Sequence, residues 1–423
     1  MGDVITKFGD WIDREVPAHP ALCRRALLAG YRAFGWKLRR APDPRLPASR
    51  QFISVLVNRS VVDVLAHPER AALTSVFLPC ELLTAMDMRP MCAEVFSAFL
   101  NGAHAEKVFA ETAEAAGIAE TYCSYHKVLL GSAFSGVLPK PACVLNTSLI
   151  CDANNLTFRT LSEYYGIPQY YVDVPPRRDE ECLRYVAGQM RGMGRFLEDL
   201  TGRKLDASRL REALVRSRNT IENSRAALAE KRVHSLPGDV TSEMYEIYAT
   251  HIGLGTEPAE RYSRMLLEDL RRAPAAHGLR LLWIHTIPNW QQPVRELMNF
   301  SDRCQILTCD MNFESLVDLD PDRPYESMAR RLVASSWNGG GDIRIAAARD
   351  MARALGADGV VCFCHWGCKQ TMGLSARLKR ELEADGFPTL ILNGDGCDRS
   401  NSSDGQVATR LNAFLEMLGG GAR

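Results

Sequence analysis

The chain has 423 residues, roughly two to three times an average domain, and 46% of them are hydrophobic. Lys and Arg total 51, as do Asp and Glu, so the formal charge is zero and excludes a nucleic-acid or anionic-membrane binder as the default. No apolar run approaches the about 20 residues of a membrane helix. The acidic N-terminal segment lacks the pattern of a secretory signal, so we expect a cytoplasmic protein.

The hydrophobic pattern predicts four consecutive segments. Residues 1–69 have helical periodicity and form a lead-in, and residues 179–276 form a second helical segment without strand signals. In residues 70–178 and 277–423, short apolar runs alternate with helical stretches, which predicts a parallel α/β domain in each. The strand candidates are SVFLP, RPMCAEV, ACVLNT and PQYYVDV in the first, and LRLLWIHT, RCQILTCD, DGVVCFCHW and FPTLILNGD in the second. The expected fold class is therefore α/β, with two parallel-sheet domains.

Thirteen cysteines are the unusual part of the composition. A reducing cytosol argues against a disulfide framework, which leaves core thiols, a catalytic thiol or metal ligands. Cys123, Cys151 and Cys368 each lie near the carboxyl end of a predicted strand or at a connection, and each precedes a predicted helix. Ligands of open α/β sheets bind beyond those strand ends, and a helix N-terminus stabilises a thiolate. Iron–sulfur ligation needs thiolates of this kind.

Simpler explanations stand beside this one. Buried cysteines usually pack in the core, and His with Cys also suits zinc, although the chain has no C-x-x-C pair. Ser124 and Asp152 are of residue types that commonly cap the N-terminus of a helix. Glu81 directly follows a strand candidate, where a first-turn carboxylate favours the helix dipole. No GxGxxG fingerprint or P-loop appears, so a nucleotide-binding Rossmann or P-loop enzyme has little support.

Several short motifs, in a fixed order, resemble one family. They are P-x-E-L-x-x-A with a following proline (Pro79, Glu81, Leu82, Ala85, Pro90), C-S-Y (123–125), C-D (151–152), D-G-V-V (358–361), H-W-G-C-K-Q (365–370) and G-Q-x-x-T-R-x-x-A-F-x-E (405–416). Together they resemble the 2-hydroxyacyl-CoA dehydratase, benzoyl-CoA reductase and double-cubane-cluster family, over about residues 70–420. Each motif is weak alone, and the specificity comes from the set.

The resemblance implies two α/β domains that hold an iron–sulfur cluster between them through three cysteines, carried over as Cys123, Cys151 and Cys368. Cys364 is the alternative third ligand, and Cys362 and Cys397 are further candidates in the same domain. Glu81 matches an acidic residue that acts at the substrate site. The resemblance also implies a dimer and a separate ATP-hydrolysing iron–sulfur activator that supplies low-potential electrons.

Three functions follow from this resemblance. The first is a homodimeric reductase component with a double-cubane 8Fe–9S cluster, which the H-W-G-C-K-Q motif favours. The second is a 4Fe–4S subunit of an anaerobic 2-hydroxyacyl-CoA dehydratase or benzoyl-CoA reductase, heterodimeric, acting on an acyl-CoA through a ketyl radical. The third is a non-catalytic relative that binds zinc or no metal.

Overall fold

The structure is a computed structural model that describes residues 2–420, and helices make up most of this part of the chain. The described helices, in chain order, are α1 (Gly2–Glu15), α2 (Pro20–Arg40), α3 (Ala48–Ala66), α4 (Glu81–Ala85), α5 (Ala93–Gly102), α6 (Glu106–Ala115), α7 (Ser124–Phe134), α8 (Asp152–Tyr165), α9 (Glu180–Thr201), α10 (Ala207–Glu230), α11 (Val240–Thr250), α12 (Glu257–Arg272), α13 (Gln292–Met298), α14 (Pro324–Ala334), α15 (Gly341–Leu355), α16 (Lys369–Ala384) and α17 (Asp404–Gly420). No helix in this part is long and apolar enough to cross a bilayer.

Eight strands form two separate sheets within the described residues. They are β1 (Ala71–Thr74), β2 (Arg89–Cys92), β3 (Cys143–Thr147) and β4 (Gln169–Val172) in the first sheet, and β5 (Leu279–Ile284), β6 (Cys304–Cys309), β7 (Gly359–His365) and β8 (Thr389–Gly394) in the second. Every pairing is parallel. The prediction of an α/β fold with two parallel sheets is confirmed.

The two sheets have the same strand order. The first runs β2-β1-β3-β4 and the second runs β6-β5-β7-β8. The chain therefore reverses its direction of travel between β1 and β3 in one sheet, and between β5 and β7 in the other. Such switch points open a crevice at the carboxyl ends of the central strands, where ligands of α/β sheets bind. β1, β3 and β7 are buried along their whole length, as expected of strands covered by helices on both faces.

The helices of the middle segment begin at side-chain caps and pack around the sheets. Asp179 accepts a hydrogen bond from the Cys182 backbone N–H at 2.8 Å and caps α9, and Thr256 caps α12 by accepting from the Ala259 N–H. In the core of this region Arg50 from α3 forms buried ion pairs with Glu243 and Glu246 of α11. The N-terminal and middle helices therefore form one packed layer.

One strand prediction was wrong. The run SVFLP (75–79) is a loop, and the strand is the preceding AALT of β1. The Val76 backbone N–H donates to the Glu94 side chain at 3.2 Å instead of continuing the sheet. The loop is nonetheless apolar because Phe77 and Leu78 are buried between the sheets and the helices. The domain boundaries at 69, 178 and 276 stay predictions.

Candidate functional site

The carboxyl ends of the two sheets face each other through aromatic side chains. Phe77 follows β1, and its ring centroid lies 5.6 Å from that of Trp337. Trp337 in turn stacks on His285, directly after β5, at 5.9 Å, and His285 stacks on His365, the last residue of β7, at 6.1 Å. Both switch points therefore open into one shared region.

Cys123, Cys151 and Cys368 each occupy the N-cap position of a helix, namely α7, α8 and α16. The backbone N–H of His126 lowers the pKa of the Cys123 thiol, and the N–H groups of Asn154 and Ala153 do so for Cys151, although burial outweighs them. Free amides and the positive end of the helix dipole therefore point at these sulfur atoms. These amides offset part of the effect of burial, which favours the thiol over the thiolate.

The structure brings the three thiols together. Burial raises the pKa of Cys123 well above its usual range, and the charges of Cys151 and Cys368 raise it further. Burial likewise raises the pKa of Cys151 to about 12, with Cys368 as the next cause. Cys123 and Cys368 are 7% and 8% exposed. Three thiolates in this position would repel one another, so their deprotonated state needs cationic charge among them.

Close backbone packing produces this convergence. A Cβ atom on Gly367 would lie 2.3 Å from the Cα of Cys123, so the turn before α16 rests directly on the start of α7. Directly before Cys151, Ile150 has a φ of 94°. This conformation is uncommon for a β-branched residue and marks local backbone strain. Within residues 2–420, no three His, Cys, Asp or Glu side chains lie close enough to share one metal ion.

The other candidate cysteines have different contacts, although the charge of Cys368 acts on Cys364 and that of Cys123 acts on Cys397. The Cys364 thiol lies on β7 and points to the Ser375 hydroxyl of α16 at 3.8 Å, and Cys362 packs in a hydrophobic cluster behind it. The Cys397 thiol donates to the Ser97 carbonyl at 3.6 Å and is fully buried. Of the cysteines proposed from sequence, the geometry therefore groups Cys368, rather than Cys364, with Cys123 and Cys151.

Glu81 opens α4 and is completely buried. Its Oε1 atom accepts hydrogen bonds from the Ser217 hydroxyl at 2.9 Å and from Arg331 Nη1 at 3.2 Å. Its Oε2 atom has no hydrogen-bond partner among the described residues. The carboxylate therefore ties together three segments that are distant in sequence, and it keeps one oxygen atom uncommitted.

A family comparison matches nearly the whole of this architecture. Residues 75–418 match the model of the 2-hydroxyglutaryl-CoA dehydratase D-component family. The chain belongs to this family. Its resemblance to the wider dehydratase group, inferred from the motifs, is confirmed. The second sheet, three strands of the first sheet and all three cysteines lie within the matched residues, which begin directly after β1.

Characterised relatives of this D-component chain are similar at low identity. The (R)-phenyllactyl-CoA dehydratase alpha subunit of Clostridium sporogenes is 21% identical over 80% of this chain and 87% of the relative. The lactoyl-CoA dehydratase subunit alpha of Anaerotignum propionicum is 22% identical over 84% and 92%. The (R)-2-hydroxyglutaryl-CoA dehydratase subunit alpha of Acidaminococcus fermentans is 21% identical over 66% and 61%. This chain is therefore similar to the alpha subunits of dehydratases that contain more than one kind of subunit.

Sequence reasoning missed two buried groups of this candidate site. His365 belongs to the quoted H-W-G-C-K-Q motif but received no role, and its Nε2 atom lies 3.3 Å from Cys123 Sγ. Burial lowers the pKa of His365, with His285 as a further lowering cause. The signal for it was its position as the last residue of a predicted strand, three residues before Cys368.

The second missed group is an ion pair beneath Cys368. Arg344 Nη2 lies 2.7 Å from Asp310 Oδ2, and both side chains are almost fully buried. Arg344 Nη1 donates to the Thr371 hydroxyl at 3.1 Å, and that oxygen lies 3.5 Å from Cys368 Sγ. The guanidinium also lies 3.6 Å from the Trp337 ring centroid. No sequence motif marks Arg344, because its partners come from three separate segments.

Proposed function

We propose that this chain is the iron–sulfur-binding subunit of a 2-hydroxyacyl-CoA dehydratase that acts together with a second, related subunit. The single observation that carries the proposal is the convergence of Cys123, Cys151 and Cys368. Each occupies the N-cap position of a helix of 11 or more residues; Cys123 and Cys368 are buried and Cys151 is half-buried, and the charges of Cys151 and Cys368 act on Cys123. Three thiols held by helix N-termini are a donor set that suits an iron–sulfur cluster.

The residues present fit a cluster of the 4Fe–4S type. Cys123, Cys151 and Cys368 would hold such a cluster through their thiolates. When bound, such a cluster supplies single electrons at low potential. Helix amides at Cys123 and Cys151 offset part of the negative charge of the ligands. The identity of this cofactor, 4Fe–4S or double-cubane 8Fe–9S, is part of the proposal.

Glu81 is the residue we assign to proton handling at the substrate. Ser217 and Arg331 both donate to Oε1, so Oε2 is the atom free to hold or release a proton. Removal of the 2-hydroxyl group of a hydroxyacyl substrate needs an acid at the leaving oxygen. The buried Arg331 guanidinium keeps the carboxylate oriented while this proton moves.

Buried aromatic side chains keep water out of the shared region. Phe77, His285 and Trp337 are each less than 10% exposed and stack between the two sheet ends. A reactive electron-rich substrate is protected from stray protonation in such a lining. These rings act by exclusion and by packing, and no proton transfer is assigned to them.

Two partners belong to the proposal. The relatives named above are alpha subunits, which supports the proposal of a heterodimer with a related second subunit. An ATP-hydrolysing iron–sulfur activator is the proposed electron donor. The H-W-G-C-K-Q motif favours a second candidate, a homodimeric double-cubane reductase, whereas the relatives favour the acyl-CoA dehydratase assignment.

The test is iron and acid-labile sulfide per chain after anaerobic purification and reconstitution. We expect about four irons per chain, and loss of that iron in Cys123→Ser, Cys151→Ser and Cys368→Ser. Cys364→Ser is the matched control, four residues from Cys368, and should keep its iron because its thiol points at α16. Zinc, or no metal after reconstitution, contradicts the proposal and supports the non-catalytic alternative.

A second measurement separates the two cluster-binding candidates. The iron-loaded chain is sized alone and after co-expression with a candidate second subunit. An iron-loaded homodimer supports the double-cubane reductase, and iron retained only with the second subunit supports the dehydratase. Dehydration of a 2-hydroxyacyl-CoA, dependent on ATP and lost in Glu81→Gln with iron retained, then assigns the substrate class and the carboxylate.

A further inference from the structure

His365 joins the two halves of the candidate site through its two ring nitrogen atoms. Its Nε2 atom lies 3.3 Å from Cys123 Sγ, and its Nδ1 atom lies 3.1 Å from the Gly396 backbone nitrogen. The side chain is 1% exposed. The imidazole therefore connects the thiol that caps α7 with the loop that follows β8.

The Gly396 contact determines which nitrogen carries the proton. A backbone N–H only donates, so Nδ1 of His365 accepts and is unprotonated. A neutral imidazole has one N–H group, which places the hydrogen on Nε2, facing Cys123 Sγ. The assignment comes from the hydrogen-bond network around the ring.

The Gly396 residue is itself held in place. Its carbonyl oxygen accepts hydrogen bonds from the Tyr125 hydroxyl at 3.0 Å and from Trp290 Nε1 at 2.9 Å. The Tyr125 ring also packs edge-on against His365, with centroids 5.5 Å apart. Because both peptide and ring are fixed, His365 presents its Nε2–H to the thiol with little freedom to rotate away.

We infer that His365 is a positioning residue that donates an Nε2–H···Sγ hydrogen bond to Cys123 and so favours the more negative, reduced state of a bound cluster. The cluster part of this inference rests on the proposed function, and the hydrogen bond does not. Hydrogen bonds to ligand sulfur stabilise added electron density, and partners behind the ligands tune metal sites in this way.

The hydrogen bond is tested without metal. In the metal-free protein labelled with ¹⁵N-histidine, the His365 signals are identified by their loss in His365→Gln. We expect the Nε2–H tautomer, with an exchange-protected proton whose shift changes in Cys123→Ala. An Nδ1–H tautomer, or an Nε2–H signal that Cys123→Ala leaves unmoved, overturns the inference whether or not the protein binds iron.

The tuning is tested on the iron-loaded protein by redox titration. We expect His365→Phe to shift the reduction equilibrium about tenfold toward the oxidised form, equivalent to about 59 mV for one electron. His365→Gln keeps a donor and should stay closer to native. His126→Phe is the matched control, because His126 is a buried α7 histidine whose ring packs on Tyr122 and Phe158.

The outcomes separate the two claims. Equal potentials for the native protein and His365→Phe overturn the tuning while leaving the proposed cluster intact. A shift of the same size in His126→Phe also overturns it, because the effect would then follow from any buried imidazole. Absence of iron from the native protein contradicts the proposed function, and the NMR measurement then decides the hydrogen bond alone.

Discussion

Replacement of Gly367 by alanine should separate two of the proposed cluster ligands. An added Cβ atom would lie 2.3 Å from the Cα of Cys123, 2.8 Å from its nitrogen and 3.0 Å from the Tyr122 carbonyl oxygen. All three are backbone atoms at the start of α7, so no side-chain rotation relieves the clash. The turn that carries Cys368 must move away from Cys123.

The size of that movement follows from the distances. Ordinary van der Waals contact begins at 3.4 Å, so the two backbones must separate by about 1.1 Å to accommodate the methyl group. Overpacking of this kind costs about 1–3 kcal/mol, which a chain of this size tolerates while staying folded. A misplacement of about 1 Å at a functional site is enough to cost about 100-fold in activity. We therefore expect Gly367→Ala to fold but to lose most of its iron and its activity.

Gly373→Ala is the matched control because it lies in the same helix, α16, with no heavy atom within 4 Å of the added Cβ. It should keep full iron content and gain about 0.5–1 kcal/mol of stability from helix propensity. Iron per chain and urea unfolding are measured on both variants. Native iron content in a folded Gly367→Ala protein would refute the claim that contact between these backbones holds the ligands together.

Three further predictions concern stability. Arg331→Met leaves Glu81 buried without its cation, so it should lower the free energy of unfolding in urea by about 3–5 kcal/mol. Adding Glu81→Gln should recover part of this loss. A cost below about 1 kcal/mol contradicts the buried pair. Burial lowers the pKa of His126 from 6.5 to about 4. Between these two pH values the unfolded state binds more protons than the folded state, so the stability falls as the pH drops from 6.5 to about 4. His126→Phe should abolish about 3 kcal/mol of that fall between pH 7 and pH 4, and parallel pH profiles for native and variant would count against it. Tyr122→Phe removes the hydroxyl that donates to the Ala153 carbonyl at 2.7 Å and should cost about 1 kcal/mol, checked by the urea midpoint.

The pattern of apolar runs was sufficient for most of the fold. The strands β3, β5, β7 and β8 are short, strongly apolar and bounded by turn residues, so local sequence indicated both their type and their place. The run at 75–79 misled this reasoning because burial between sheets and helices requires apolar residues in a loop as well. The bond from the Val76 N–H to Glu94, and a turn in which the Leu78 N–H donates to the Ser75 carbonyl at 3.3 Å, distinguish that loop from a strand.

The candidate site was only partly accessible from sequence. Cys123, Cys151 and Cys368 stood out because each precedes a helix, which is a local property. The choice between Cys364 and Cys368 was open, because four residues along a chain do not say which thiol faces a cleft. Pairing of β7 with β8 and packing of α16 turn Cys364 toward Ser375, and this contact favours Cys368 as the third ligand.

The sequence by itself determined the kind of chemistry available: an α/β chain of zero net charge, rich in cysteine, with thiols at the starts of helices. Only the tertiary structure decided which groups meet. Cys123 and His365 are 242 positions apart, and Glu81 and Arg331 are 250 apart. No local pattern encodes such pairs, because their distance depends on how two sheets of the same strand order pack with their carboxyl ends facing each other.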